Sequence, residues 1–204
     1  MTKPLCGVLM VIACYAETGP RTLLAIESGA ATFNAATNLP GVEVKGTSRA
    51  LTGRVEILQN ASGLTLQHID ASVPVKTLAT GMKVRDEHMR KYIFTTPEGK
   101  EPDLRFNADG VSCPSSGASQ FACQVSGTLT IRGVAAPFTI RLRVKEQGSA
   151  TAFRAEGDGI VKLHDYGINS PSQFGVTPQD EVKLHLEFAA KAAAISDGTS
   201  GGSK

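Results

Sequence analysis

A chain of 204 residues, 41% of them hydrophobic, carries 21 basic against 19 acidic side chains for a net charge of +2. That size and apolar content suit one domain with a sizeable core. The near-balanced charge gives no electrostatic footprint for a nucleic-acid partner, which usually needs a clustered basic stripe or a stacking motif. No Gly-rich phosphate loop, zinc-ligand spacing, dinucleotide fingerprint or repeat of roughly 20 to 50 residues is present either.

The chain opens with MTKPLCGVLMVIACYA: one lysine, an apolar run, then small residues. The run is too short to cross a hydrocarbon layer of about 30 Å and predicts a secretory signal over residues 1–16. Two processing readings stand. Cleavage after Ala16 leaves a soluble mature chain, whereas Val11-Ile12-Ala13-Cys14 reads as a lipobox whose Cys14 would be lipidated. The alternative to both is a buried first strand of a cytoplasmic domain.

Downstream, strand candidates begin at Ala31 and Phe33, continue around Val42 and Val44, and resume at Leu51, Val55 and Ile57, with Asn38-Leu39-Pro40-Gly41 a turn by composition. From Gly63 to Lys76 the alternation slips by one: Leu64 and Leu66 share one face, then Ile69, Ala71, Val73 and Val75 the other. A slip of that kind predicts a β-bulge near Gln67-His68. Thr80 to Tyr92, TGMKVRDEHMRKY, is the one convincing helix, with Met82, Asp86 and Met89 on one side. Asp86 there calls for a partner, with Arg85, Arg90 or a barrel arginine as the candidates. The cluster Arg85, Asp86, Glu87 and His88 reads either as a charged plug at a barrel end or as an acid/base group. The plug is the simpler reading, because no nucleophile elbow or second acid cluster accompanies it.

Leu104, Phe106 and Ala108 alternate in a strand that leads to Cys113 and Cys123. These flank a Pro-Ser-Ser-Gly stretch and suit a disulfide between the ends of a hairpin loop, which implies an oxidising compartment; two free thiols, or metal or redox work, are the alternatives. The longest regular stretch follows. Val125, Gly127, Leu129 and Ile131 alternate with polar residues, and after a connection at Gly133 to Pro137 so do Phe138, Ile140, Leu142 and Val144. Arg141, Arg143 and Lys145 form a basic ladder, read as a solvated outer face with attraction to anionic lipid as the other reading. Thr151 to Leu163 and Glu181 to Phe188, with Leu184 and Leu186, supply the last strands. A long loop, Asp165 to Asp180, lies between them. Residues 191–204 are predicted to be a disordered tail.

The run VSGTLTIRGV from Val125 to Val134, closing on Pro137, resembles the central hairpin of the YceI-like family. Thr80-Gly81 with Arg85-Asp86-Glu87-His88-Met89-Arg90 resembles that family's upstream motif, and Asp165-Tyr166-Gly167-Ile168 its late turn. The similarity covers roughly Leu24 to Ala189. It departs at Thr47, where relatives often place an aromatic, in the lack of a first-strand tryptophan, and in a longer hydrophilic stretch at Thr95 to Asp103. The resemblance implies a closed, antiparallel, eight-stranded lipocalin-like β-barrel with one short helix, spanning residues 22–190. It also implies an extracytoplasmic bacterial protein, some relatives of which hold a polyisoprenoid chain inside.

Inward positions then become cavity candidates: Phe33, Val55, Ile57, Leu104, Phe106, Leu129, Ile131, Phe138, Ile140, Leu142, Leu184 and Leu186. From a loop that in this family crosses the barrel mouth come Ile168, Phe174 and Tyr166, with plain loop packing as the simpler reading of all three. The expected function is a non-catalytic carrier of a polyisoprenoid or similar long-chain lipid in the periplasm or envelope. A ligand-free envelope barrel with an interaction or stress role is the rival, and an enzyme acting at Asp86 and His88 stands third. No cofactor or metal is expected. Membrane contact and a homodimer are left open.

Overall fold

Alternation of apolar and polar residues puts one greasy face on every strand, and a sheet of such strands hides that face by curling round on itself. The computed structural model of the chain describes residues 21–60, 63–149, 151–172 and 175–193. The leader with Cys14, Phe174 and most of the tail lie outside the described residues. The strands are β1 Arg21–Thr37, β2 Glu43–Ser48, β3 Thr52–Asn60, β4 Gly63–Val73, β5 Leu104–Gly117, β6 Gln120–Ile131, β7 Val134–Glu146, β8 Ala152–Lys162 and β9 Pro178–Ala192. Neighbours in sequence pair antiparallel from β3 to β9, and β9 returns to pair with β1.

Nine strand segments close an eight-stranded barrel because β2 and β3 share one position. Ile26 faces Gly53 and Ala31 faces Ser48, so a single register along β1 is carried across the break at 49–51. The first strand begins at Arg21 rather than near Ala31. The slipped parity in β4 is a bulge, as its sequence predicts: Glu56 faces His68 while Ile57 faces Leu66, leaving Gln67 as the extra residue.

The central hairpin is tighter than expected. Ile131 faces Val134, so the connection is Arg132-Gly133 alone, both with positive φ (45° and 83°), the pairing that matches strand twist. β7 therefore runs through Pro137, which lies beyond the end of the β8 ladder at Ile140. The cysteine stretch also differs. β5 reaches Gly117 and β6 starts at Gln120, so the Cys113–Cys123 disulfide, with Cα atoms 4.6 Å apart, staples two strands rather than the ends of a loop. The last strand reaches Ala192, beyond the expected start of the tail.

The helix is α1, Lys83–Met89, continued by a π-helical turn Arg90–Phe94. It starts later than the sequence suggests because Gly81, at φ 82°, turns the chain into it. It closes where the Thr95 N–H and Oγ1 both donate to the Arg90 carbonyl.

The barrel has two unlike ends. At the closed end Leu64, Phe121, Val125, Val144 and Phe153 are buried in a continuous core, and β1 begins and β9 ends there. At the other end lie the β1–β2 turn, α1, the Arg132-Gly133 turn and the segment from a 3-10 turn at Leu163–Tyr166 to Pro178.

Candidate functional site

Inward side chains of the open half do not meet across the barrel. They surround a cavity of about 890 Å³, large for a site that takes a small molecule, where roughly 300 to 1,000 Å³ is usual. Its walls explain an otherwise odd pattern. Phe33, Leu104, Phe106, Leu184 and Leu186 point inward yet are only half-buried, because they face the cavity rather than other side chains.

Glycines on neighbouring strands help keep it open. The Phe33 ring lies where a Cβ on Gly46 would stand, with Cε1 2.5 Å from that position, and Phe106 Cζ is 2.8 Å from the equivalent point on Gly127. Phe138 Cζ is 2.6 Å from where Gly159 would carry its Cβ. Each ring is thus laid flat on the wall instead of standing across the interior, and Phe106 meets Phe138 edge-on at 5.9 Å.

Of the residues expected from sequence to face a ligand, Phe33, Leu104, Phe106, Leu129, Ile131, Phe138, Ile140, Leu184 and Leu186 line this cavity, and Ile168 joins them from the loop. Val55, Ile57 and Leu142 are buried but do not line it; Val55 faces Ile69, Ile57 faces Leu66 and Leu142 faces Gly157, on the closed-end side. Tyr166 is fully buried beneath the loop, outside the lining. Burial, with the Asp165 charge adding, pushes its hydroxyl up to about 12. Sequence reasoning missed Ala31, Ala35 and Ala71, whose small side chains leave the space, and Ile93 and Phe94, which come from the turn past the expected helix end. The pairing of Met82 with Met89 on one helix side was the available signal for α1.

Polar groups occur where the cavity meets α1 and the rim: Arg85, His88 and Arg105, and Glu43 on β2. Hydrogen bonds from Lys45 Nζ and from Asn34 Nδ2 hold the Glu43 carboxyl below its usual range. Asp86 is not paired with an arginine as its position suggests. Its Oδ1 accepts from the Thr80 N–H at 2.7 Å and from Thr80 Oγ1 at 2.5 Å. Arg85 clamps the same residue, donating from Nε to Thr80 Oγ1 at 2.8 Å and from its terminal nitrogen to the Thr80 carbonyl at 2.7 Å. These motif residues therefore fix the entry to α1. His88 lines the cavity and stands edge-on to Tyr92 at 5.8 Å, and Arg90 closes the π turn through its carbonyl.

The loop across the mouth is pinned at both ends. Asn38 in the β1–β2 turn donates to the Gly175 carbonyl and accepts from the Thr177 N–H. At its start, Asp180 accepts from the His164 N–H and bonds the ring Nδ1, and the His164 Nε2 sits 3.0 Å from Asp165. Burial alone would raise the Asp180 carboxyl, but the His164 backbone and ring donors outweigh it and leave the group below its usual range. Among the described residues no group of three His, Cys, Asp or Glu could hold a metal ion.

A closed barrel, apolar within, with a helix over one end and a hairpin of this sequence, decides the family: residues 25–190 match the YceI-like domain. The chain belongs to the YceI-like domain family. UPF0312 proteins of Pseudomonas paraeruginosa and Pseudomonas aeruginosa are 30% and 29% identical to this YceI-like chain over 104 residues, about half of it and about half of theirs.

Solved structures share the fold at lower identity. A polyisoprenoid binding domain from Saccharophagus degradans implicated in plant cell wall breakdown superposes with TM-score 0.59 at 17% identity, covering 83% of this chain and 98% of that one. Burkholderia cenocepacia BcnA gives 0.57 at 15%, over 83% and 95%. A Campylobacter jejuni YceI protein gives 0.57 at 19%, over 76% and 89%.

Proposed function

We propose that this YceI-like domain is a non-catalytic carrier that encloses a polyisoprenoid or similar long-chain lipid in the bacterial periplasm or envelope. The observation that carries the reading is the 890 Å³ cavity, walled by leucine, isoleucine, phenylalanine and alanine, with its charged groups gathered at the mouth. An apolar lining of that kind favours hydrocarbon over water. The relative whose structure is described as a polyisoprenoid binding domain supports the ligand class. The Cys113–Cys123 disulfide supports an oxidising compartment.

Magnitudes bound the ligand. Micromolar affinity needs about 8 kcal/mol net, association costs at least about 4, and each buried methylene returns roughly 0.8. On the order of fifteen buried carbons is the minimum, so short metabolites without several polar anchors would not be retained. The open upper half favours a carrier over a ligand-free barrel whose interior is filled by side chains. The use of Asp86 and Arg85 to clamp Thr80 favours a structural role for that motif over acid/base chemistry.

Native mass spectrometry of protein purified from a bacterial envelope, before and after organic extraction, tests the reading. A releasable long-chain lipid is the expected result. Protein recovered at its bare polypeptide mass in repeated preparations would overturn it.

A further inference from the structure

We infer that the open end of the barrel is a docking surface for an anionic lipid bilayer, laid against the membrane so that a chain can pass between the lipid and the cavity. What passes rests on the carrier reading; the docking stands on the surface itself. Among the described residues the large hydrophobics left exposed include Leu39, Val42, Met82, Val84, Tyr92 and Val134, and all six lie at the open end, in the β1–β2 turn, on or just before the helical segment, or at the first residue of β7. Of the other two, Leu23 lies at the closed end and Ile160 on the outer wall. A short amphipathic helix in a soluble rim turns its apolar residues to the core. Here α1 buries Met89 but leaves Val84 60% exposed, and Met82, just before the helix, is 57% exposed. Val42, Met82 and Tyr92 also line the cavity, so the exposed apolar rim is continuous with the interior.

The surrounding charge selects the partner. Lys83, Arg85, Arg90 and Lys91 lie on the helical segment against Asp86 and Glu87; Asp86 and Arg85 are both bonded to Thr80, which leaves Lys83, Arg90 and Lys91 against Glu87. Tyr92, with Lys91 Nζ 5.4 Å from its ring centroid, is the amphipathic kind of residue that settles at a headgroup boundary. An apolar rim with a cationic helical segment on one side fits acyl chains beneath anionic headgroups. On the outer wall, Arg143 of the β7 ladder is matched by Glu156 and Asp158 on β8.

Flotation of the purified protein with phosphatidylcholine vesicles, with and without phosphatidylglycerol, tests the inference. The protein is expected to float with the anionic vesicles, more weakly with the neutral ones, and less as salt rises. Leu39→Ser/Val84→Ser changes two exposed residues that do not line the cavity, and should weaken binding at least about tenfold. Lys83→Ala and Lys91→Ala should each cost about fivefold on anionic vesicles. Leu23→Ser should change nothing. Failure of the wild type to float with either vesicle, or an equal loss in Leu23→Ser, overturns the docking surface.

Bound lipid is measured on the same preparations. Flotation by protein that never carries lipid upholds docking and removes the carrier reading. Lipid-loaded protein that does not float removes docking alone.

Discussion

Thr80 is held from two directions, by the carboxylate of Asp86 and the guanidinium of Arg85, and this clamp sets where α1 begins. Asp86→Ala would leave a half-buried N–H and hydroxyl without their acceptor, at a cost of about 1 to 3 kcal/mol. Calorimetry should record a melting temperature lower by about 2 to 4 °C for each kcal/mol, and Asp86→Asn, which keeps an acceptor oxygen, should lose less. The need for a partner at Asp86 was legible from its place beside two methionines. The partner itself was not, because a backbone N–H six residues upstream becomes available only through the positive-φ turn at Gly81.

A second residue-scale expectation concerns the outer wall, where His185 Nδ1 bonds Asp158 at 2.8 Å and Nε2 faces Glu187 at 3.3 Å. The Asp158 hydrogen bond raises His185 above its ordinary 6.5, against partial burial and with Glu187 assisting. The His185 bond in turn holds Asp158 below its usual range. A raised histidine contributes its stability fully below about 6.5 and loses it as pH rises through the folded value. With the side chains 39% and 43% exposed, solvent screening keeps that contribution under about 1 kcal/mol. An NMR titration should place the His185 midpoint above 6.5, and Asp158→Asn should bring it down.

Among the elements, β4 and the β5–β6 pair show what periodicity can and cannot reveal. The parity slip at Gln67 was readable because a period of two has no other way to change face, and the bulge lies where the slip is. Gly110, with φ 65°, lies across from the bulged residue on β5, a local accommodation that no pattern of apolar residues announces. Nor does alternation reveal that β2 and β3 are one strand interrupted, since the break at 49–51 looks like a turn until its register against β1 is known.

Between Asn107 and Ser115 the β5–β6 register is irregular, and the disulfide ties that stretch together. Reducing it should lower stability by roughly 2.5 to 3 kcal/mol on the loop-entropy argument. That shifts melting down by several degrees while far-UV circular dichroism still reports a β-barrel. Freely alkylated thiols in protein taken from the envelope would remove this support for an oxidising compartment.

For the whole molecule, polar outer faces and an apolar lumen invert the pattern of a barrel that spans a bilayer. The sequence foretold this arrangement through the strict alternation of β6 and β7. It did not foretell that the lumen is packed at one end and open at the other. That depends on Phe33, Phe106 and Phe138 lying flat over glycines of neighbouring strands, and on alanines spaced along β1. These contacts exist only after closure.

The central claim is that this open half holds a long hydrocarbon. The chain has no tryptophan and three tyrosines, which leaves a clean window for a fluorescent apolar probe bound in the cavity. Displacement of that probe by geraniol, farnesol, geranylgeraniol and solanesol measures the claim directly. Affinity should climb at least about tenfold for each added isoprene unit until the cavity is full and then level off. Affinity that ignores chain length, or a delipidated protein that takes up neither probe nor alcohol, would contradict it.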